Sequence, residues 1–209
     1  MKQKEITIRN LKDEDLPQIK NLLYDTWIKK DYGENERVAN EISSIFMYEL
    51  LYRQSFSNVA VYKEKVVGII LGRINKHYKL KNNIIYIIKL ILHCLKTILL
   101  KDGIKALKSE KETAKVNNEL LNSLSTDTDG ELILFALNRN IKGRGLGSKL
   151  LNSFYNYMKE NNADKFYLFT DTTCDYGFYE HNGFKRESSK NIYFKKEPQT
   201  YFIYTKKLT

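Results

Sequence analysis

A chain of 209 residues, 42% hydrophobic and 29% charged, is sized for a single domain spanning 1–209 with its own core, and this composition excludes the disordered and fibrous classes. Two cysteines, Cys94 and Cys174, and three scattered histidines exclude a disulfide scaffold and a zinc site, so no metal is expected. Thirty-five Lys and Arg against 25 Asp and Glu leave a net charge of +10, which suits a polyanionic partner: a nucleotide-bearing molecule, nucleic acid or an anionic membrane surface.

The opening MKQKEITIRN has no apolar stretch of the kind a secretory signal carries, so a cytoplasmic protein is expected. Residues 5–10 alternate apolar and polar as a half-buried strand does. Acidic residues 13–15 and Pro17 then mark a helix start, and the helix is predicted to run to about Trp27. A polar loop, WIKKDYGENERV, leads to a second predicted helix over 39–54. Two β-rich runs, SNVAVYKEK and VVGIILGRIN, meet at a polar turn at 63–65 and read as a hairpin.

From 77 to 129 strand signal disappears, and two or three helices broken near Asp102-Gly103 are expected as an insertion. Ile84 to Leu100 holds thirteen apolar residues among seventeen, but Lys89, His93, Lys96 and Thr97 form a polar stripe that argues against a membrane span. The wide apolar face has three possible covers: the core on its acceptor side, a second chain as in a homodimer, or a lipid interface. The first two are the expectation. After the insertion come a continuous apolar strand, ELILFALN, a helix from KGRGLGSKLL onward, a strand KFYLFTD, a short helix DYGFYEH ended by Asn182-Gly183, and two β-prone runs. The fold class is α/β with a mixed sheet.

The segment ELILFALNRNIKGRGLGSKLL carries the chemistry, because a buried strand feeds a glycine turn that opens a helix. Helix-start N–H groups and the dipole behind them attract phosphate, and glycines let the backbone come close. A Walker A loop is excluded, since the Gly-Lys pair is absent and Ser148 stands where its glycine should be; a Rossmann fingerprint also lacks its third glycine there. A plain packing turn remains open.

KGRGLG resembles the signature of the GNAT (Gcn5-related) N-acetyltransferases, in which Arg or Gln is followed by x-x-Gly-x-Gly or Ala, and YGFYEHNGFK resembles the family's Phe-Tyr-x-x-x-Gly-Phe segment. The resemblance implies a GNAT fold with the helical insertion between its third and fourth strands. It also implies acetyl-coenzyme A as cosubstrate and transfer of the acetyl group to a primary amine, on a small molecule or peptide, by direct attack in a ternary complex. Phe135 and Leu137 would face the pantetheine arm, and Lys142, Gly143, Arg144, Gly145, Leu146, Gly147 and Ser148 would hold the pyrophosphate. Tyr179 would be the general acid for the departing thiolate and Glu131 the base for the amine, with Asp171 a weaker substitute. Thr172 occupies a cofactor-side position where the family often has Asn, Lys142 replaces the usual Arg or Gln, and Arg139 stands where proline is frequent. Cys174 reads as a buried thiol. Two other readings stay open: a catalytically silent coenzyme A-binding regulatory module, and a basic nucleic-acid- or membrane-associating protein.

Overall fold

A computed structural model describes residues 6–138, 145–194 and 197–208. Its seven strands are β1 (Thr7–Asn10), β2 (Phe56–Tyr62), β3 (Lys65–Ile74), β4 (Gly130–Leu137), β5 (Lys165–Asp171), β6 (Lys185–Phe194) and β7 (Glu197–Lys207). They form one mixed sheet in the order β1-β2-β3-β4-β5-β7-β6. The helices are α1 (Leu16–Leu23), α2 (Lys29–Tyr32), α3 (Glu36–Tyr52), α4 (Ile84–Ile98), α5 (Gly103–Asn122), α6 (Leu146–Glu160) and α7 (Gly177–His181).

The hairpin between β2 and β3 turns on Lys63 and Glu64, both at positive φ (49° and 65°), as a two-residue turn matched to the strand twist requires. Antiparallel pairing runs from β1 to β4 and again across β5, β7 and β6. The join between these halves is parallel and short: Gly130 pairs with Phe166 and Glu131 with Tyr167. Beyond those two pairs β4 and β5 diverge.

Alternation along the strands sends one set of side chains to each face. On one face Leu150, Leu151, Phe154 and Met158 of α6 pack against Phe166, Leu168, Phe202 and Tyr204. On the other, α1 and α3 cover β2, β3 and β4, while Val116 and Leu120 of α5 cover Tyr167, Tyr201 and Ile203. Ala106, one turn into α5, joins the cluster of Ile28, Tyr32, Val38 and Ile42. Helix α5 therefore ties the β5–β7 half of the sheet to the helices that cover the other half.

Two expectations from the sequence need correction. The first helix does not stop at Trp27: a π turn over Tyr24–Ile28, with the Thr26 hydroxyl donating to the Leu22 carbonyl (2.6 Å), carries it into α2. Ile28 and Tyr32, one turn apart, are buried by this continuation, so much of the supposed polar loop is helix. The next helix also begins earlier than residue 39, because Asn35 caps it by accepting from the Val38 N–H.

The second correction concerns α4: Tyr86, Leu90 and Cys94 pack on the core, but the wide apolar face of Ile84, Ile88, Ile91 and Leu95 is not buried against it. Its polar stripe points inward instead. His93 lies 2.6 Å from Glu41 and stacks on Tyr48, Lys89 sits over the Tyr48 ring, and Thr97 is fully buried. Polar partners on α3 set this rotation, so Ile84, Ile88, Ile91 and Leu95 face outward. None of the described helices is long and apolar enough to cross a membrane.

Candidate active site

Where β4 and β5 part, one edge of β4 is left without a strand partner. The Asn138 N–H donates to the Val67 carbonyl, and Gly68 stands opposite Leu137, so the strand alternation turns the N–H and C=O of Leu137 away from β3 and toward the opening. Phe135, two residues back, lies toward the same side, and its ring meets Phe178 of α7 at 5.4 Å between centroids. An extended chain laid in this opening would find unpaired backbone groups, the arrangement by which sheets take on an added strand.

The opening ends at the start of α6. Gly145 is the residue before that helix, at φ +62°, with no atom of the described residues within 4 Å of where a side chain would stand. Among the described residues no side chain caps the helix, and the N–H groups of its first turn, including Leu146, Gly147 and Ser148, have no intrahelical acceptors. Gly147 has another reason to be glycine. A Cβ there would lie 3.3 Å from Leu137 and 3.5 Å from Phe135, so its absence lets α6 start close against β4. Lys142, Gly143 and Arg144 lie outside the described residues, as does Arg139.

Tyr179 sits on α7 among Phe178, Phe184 and Tyr204, with ring centroids 5.3–6.1 Å away. Burial, then the nearby Cys174 and Asp175, pushes its phenol above the ordinary tyrosine range, so it keeps its proton at neutral pH. Tyr155 of α6 is a neighbour with a buried hydroxyl that has no hydrogen-bond partner, and burial raises that phenol too. Burial, with the charge of Asp171 added, likewise raises the Cys174 thiol, which has Trp27, Thr170 and Thr173 around it. A thiol held protonated in this way is a poor nucleophile.

Glu131 stands at the apex of the opening, in the last β4–β5 pair, and is 2% exposed. Its carboxylate accepts from Arg53 (2.5 Å) and from the Tyr167 hydroxyl (3.2 Å), and Arg73 lies 3.1 Å away. Burial and the Glu131 charge push the Tyr167 phenol up to about 12. Direct contact between Glu131 and an amine would require opening the packing that leaves it 2% exposed. A water relay would not. No local pattern marks Arg53 or Tyr167, though an arginine within the apolar run of β3, Arg73, is the kind of charge that demands a buried partner.

Two of the remaining sequence candidates face elsewhere. Thr172 is tied to β7: its N–H donates to the Thr200 carbonyl and its hydroxyl accepts from the Thr200 N–H. Asp171 accepts from the N–H and hydroxyl of Thr173, closing the turn after β5. No group of three or more His, Cys, Asp or Glu capable of holding a metal occurs among the described residues.

Comparison with known families matches residues 113–184 to the acetyltransferase (GNAT) family. That stretch runs from the second half of α5 to the residue before β6. Comparison with curated protein sequences finds no match. Among solved structures, the chain is similar to PaiA N-acetyltransferase from Thermoplasma acidophilum in complex with coenzyme A, at 18% identity and TM-score 0.57 over 97% of this chain and 99% of that one. It is similar to PH1933 from Pyrococcus horikoshii OT3, at 18% identity and TM-score 0.58 over 98% and 99%. It is also similar to an N-acetyltransferase from Staphylococcus aureus Mu50, at 14% identity and TM-score 0.57 over 98% and 99%. Likenesses at these identities speak for a shared fold.

Proposed function

We propose that this chain, a GNAT-superfamily protein by its fold and its family match, is an N-acetyltransferase that moves an acetyl group from acetyl-coenzyme A to a primary amine. The observation that carries the reading is the opening between β4 and β5, which leads an unpaired strand edge straight to an uncapped helix start. Phe135 and Leu137 offer the strand edge to the pantetheine arm. Gly145, Leu146, Gly147 and Ser148 offer backbone N–H groups to the pyrophosphate, completed by Lys142, Gly143 and Arg144.

Acetyl-coenzyme A, when bound, supplies an activated acyl carbonyl and a thiolate leaving group. In this reading the amine attacks that carbonyl carbon as the carbon–sulfur bond breaks, and Tyr179 gives its phenolic proton to the departing sulfur. Glu131 receives the amine proton through water, because its own oxygens are engaged by Arg53, Arg73 and Tyr167. Thr172, with its hydroxyl turned to β7, is left a minor part on the cofactor side. Helix α5 lies beside the acceptor end: the Tyr32 hydroxyl donates to Glu110 (2.7 Å), and Tyr201 of β7 belongs to the cluster beneath α5. The amine is therefore selected between α2, α5 and β7.

One observation favours a second reading, a coenzyme A-binding module without turnover: the carboxylate assigned as base is already held by two guanidinium groups. Calorimetry with acetyl-coenzyme A, followed by acetylation assays on small amines, peptides and antibiotics, separates the two. Micromolar binding that disappears in Gly145→Glu, with turnover on some amine, is expected of the enzyme. The same binding with no turnover across the panel would leave the silent module, and unchanged affinity in a folded Gly145→Glu variant would remove the cofactor assignment altogether.

A further inference from the structure

Helix α4 is set inside out. Its inward side carries Lys89, His93 and Thr97, fixed by Tyr48 and Glu41 of α3, while the amide of Asn83 just before the helix donates to the carbonyls of Tyr52 (3.1 Å) and Gln54 (2.7 Å). Its outward side is apolar. Among the described residues, ten of the eleven exposed large hydrophobic side chains fall between Leu80 and Ile104, and those on α4 itself are 47–56% exposed. Leu99, just past its end, reaches 86%. A contiguous apolar face of this kind marks a surface that is covered in use.

The charge around that face says by what. From Lys76 to Ser109 the chain has eight lysines, of which Lys89 turns inward, and a single acidic residue, Asp102. Lys76 and Lys79 precede the helix, Lys96 flanks it, and Lys101, Lys105 and Lys108 follow; all six are exposed. We propose that the outer face of α4, with its rim of lysines, is a docking surface for an anionic phospholipid bilayer, into whose headgroup boundary the isoleucines and leucines insert. At fifteen residues the helix is about 22 Å long, short of a hydrocarbon core of about 30 Å, so it lies in the interface and does not cross. A second copy of the chain fits the charge badly. A two-fold pairing of this face would set the same lysines against each other with one Asp102 per chain to offset them.

Cosedimentation with vesicles tests the proposal, using phosphatidylcholine alone and an equal mixture of phosphatidylcholine and phosphatidylglycerol. Two double variants accompany the wild type, Ile88→Gln/Leu95→Gln and Lys101→Gln/Lys105→Gln. All four positions are exposed, and circular dichroism and acetyl-coenzyme A calorimetry report whether the fold is kept. Binding to the anionic vesicles at least about tenfold tighter than to phosphatidylcholine is expected, with a loss of about tenfold or more in each variant. Absence of binding to anionic vesicles, equal binding to both lipids, or unchanged binding in the folded Ile88→Gln/Leu95→Gln variant each overturns it. A dimer in light scattering that dissociates in that variant, with no vesicle binding, assigns the face to a second copy instead.

Discussion

Tyr179 owes its proposed role to its place on α7 among Phe178, Phe184 and Tyr204, which holds in position a phenol that is protonated at neutral pH. Tyr179→Phe keeps the ring and removes only the proton donor. We expect kcat to fall by about 10²-fold with acetyl-coenzyme A affinity nearly unchanged, because general acid catalysis is worth about 10²–10⁴. Wild-type kcat in a variant whose chemical step limits turnover would make the tyrosine a packing residue. Glu131 has a double character that its own variant exposes. Glu131→Gln leaves Arg73 without its carboxylate and Arg53 with Glu49 alone (2.9 Å), and breaking a buried pair costs about 3–5 kcal/mol. With the arginines 25% and 22% exposed, a loss of about 3 kcal/mol is expected in denaturant unfolding. If Glu131 is also the base, the rising limb of the pH–rate profile moves to higher pH. An unmoved limb beside the stability loss would leave it only the structural role.

At the scale of elements, the ion pair between β1 and the turn before α1 sets a pH dependence whose sign is fixed by its geometry. Arg9 holds both Asp15 oxygens, at 2.7 and 2.8 Å, and the Lys12 N–H adds a third bond at 2.9 Å. These contacts, led by the Arg9 hydrogen bond, lower the Asp15 carboxyl below its ordinary 3.8. A lowered folded pKa means that the folded state binds fewer protons, so the contribution is complete above about 4 and is lost as pH falls through the folded value. The stability gap between wild type and Asp15→Asn should thus be full at pH 7 and shrink below pH 4; a gap constant down to pH 2 would contradict it. Sequence reading succeeded where one period dominated: KFYLFTD is β5 to the residue, and the hairpin on Lys63 and Glu64 was visible as a polar break. It failed at α2, where Ile28 and Tyr32 were hidden among lysines and acids, and at α4. There a periodic apolar face is visible in sequence, but which side turns inward depends on Tyr48 and Glu41 about 40 to 50 residues earlier. Arg53 and Tyr167 around Glu131 were illegible for the same reason, being 78 and 36 residues from it.

On the scale of the whole molecule, the sheet is two halves joined by two residue pairs, with α6 spanning one face and α5, on the other, linking the β5–β7 half to α2 and α3. The opening proposed to take the cofactor is therefore also a weakness, since the ladder that would hold the halves together stops at Glu131 and Tyr167. Helix α5 offsets it by placing Ala106 against Ile28 and Tyr32 on one side and Leu120 against the β5–β7 side on the other. Leu120 is 3% exposed, and Leu120→Ala should cost about 2–5 kcal/mol through lost burial and the cavity left behind. The loss should be uneven: hydrogen exchange should rise more in β5, β6 and β7 than in β1, β2 and β3, because the former half loses its cover on that face. A ligand that binds across the opening should offset part of it. Acetyl-coenzyme A at 100 times its Kd adds about 2.7 kcal/mol to whichever folded state it binds. It should therefore raise the thermal midpoint of Leu120→Ala and restore protection in β5. Exchange that rises equally in both halves, or a midpoint indifferent to acetyl-coenzyme A, would show that α5 packs on the sheet without bracing the opening.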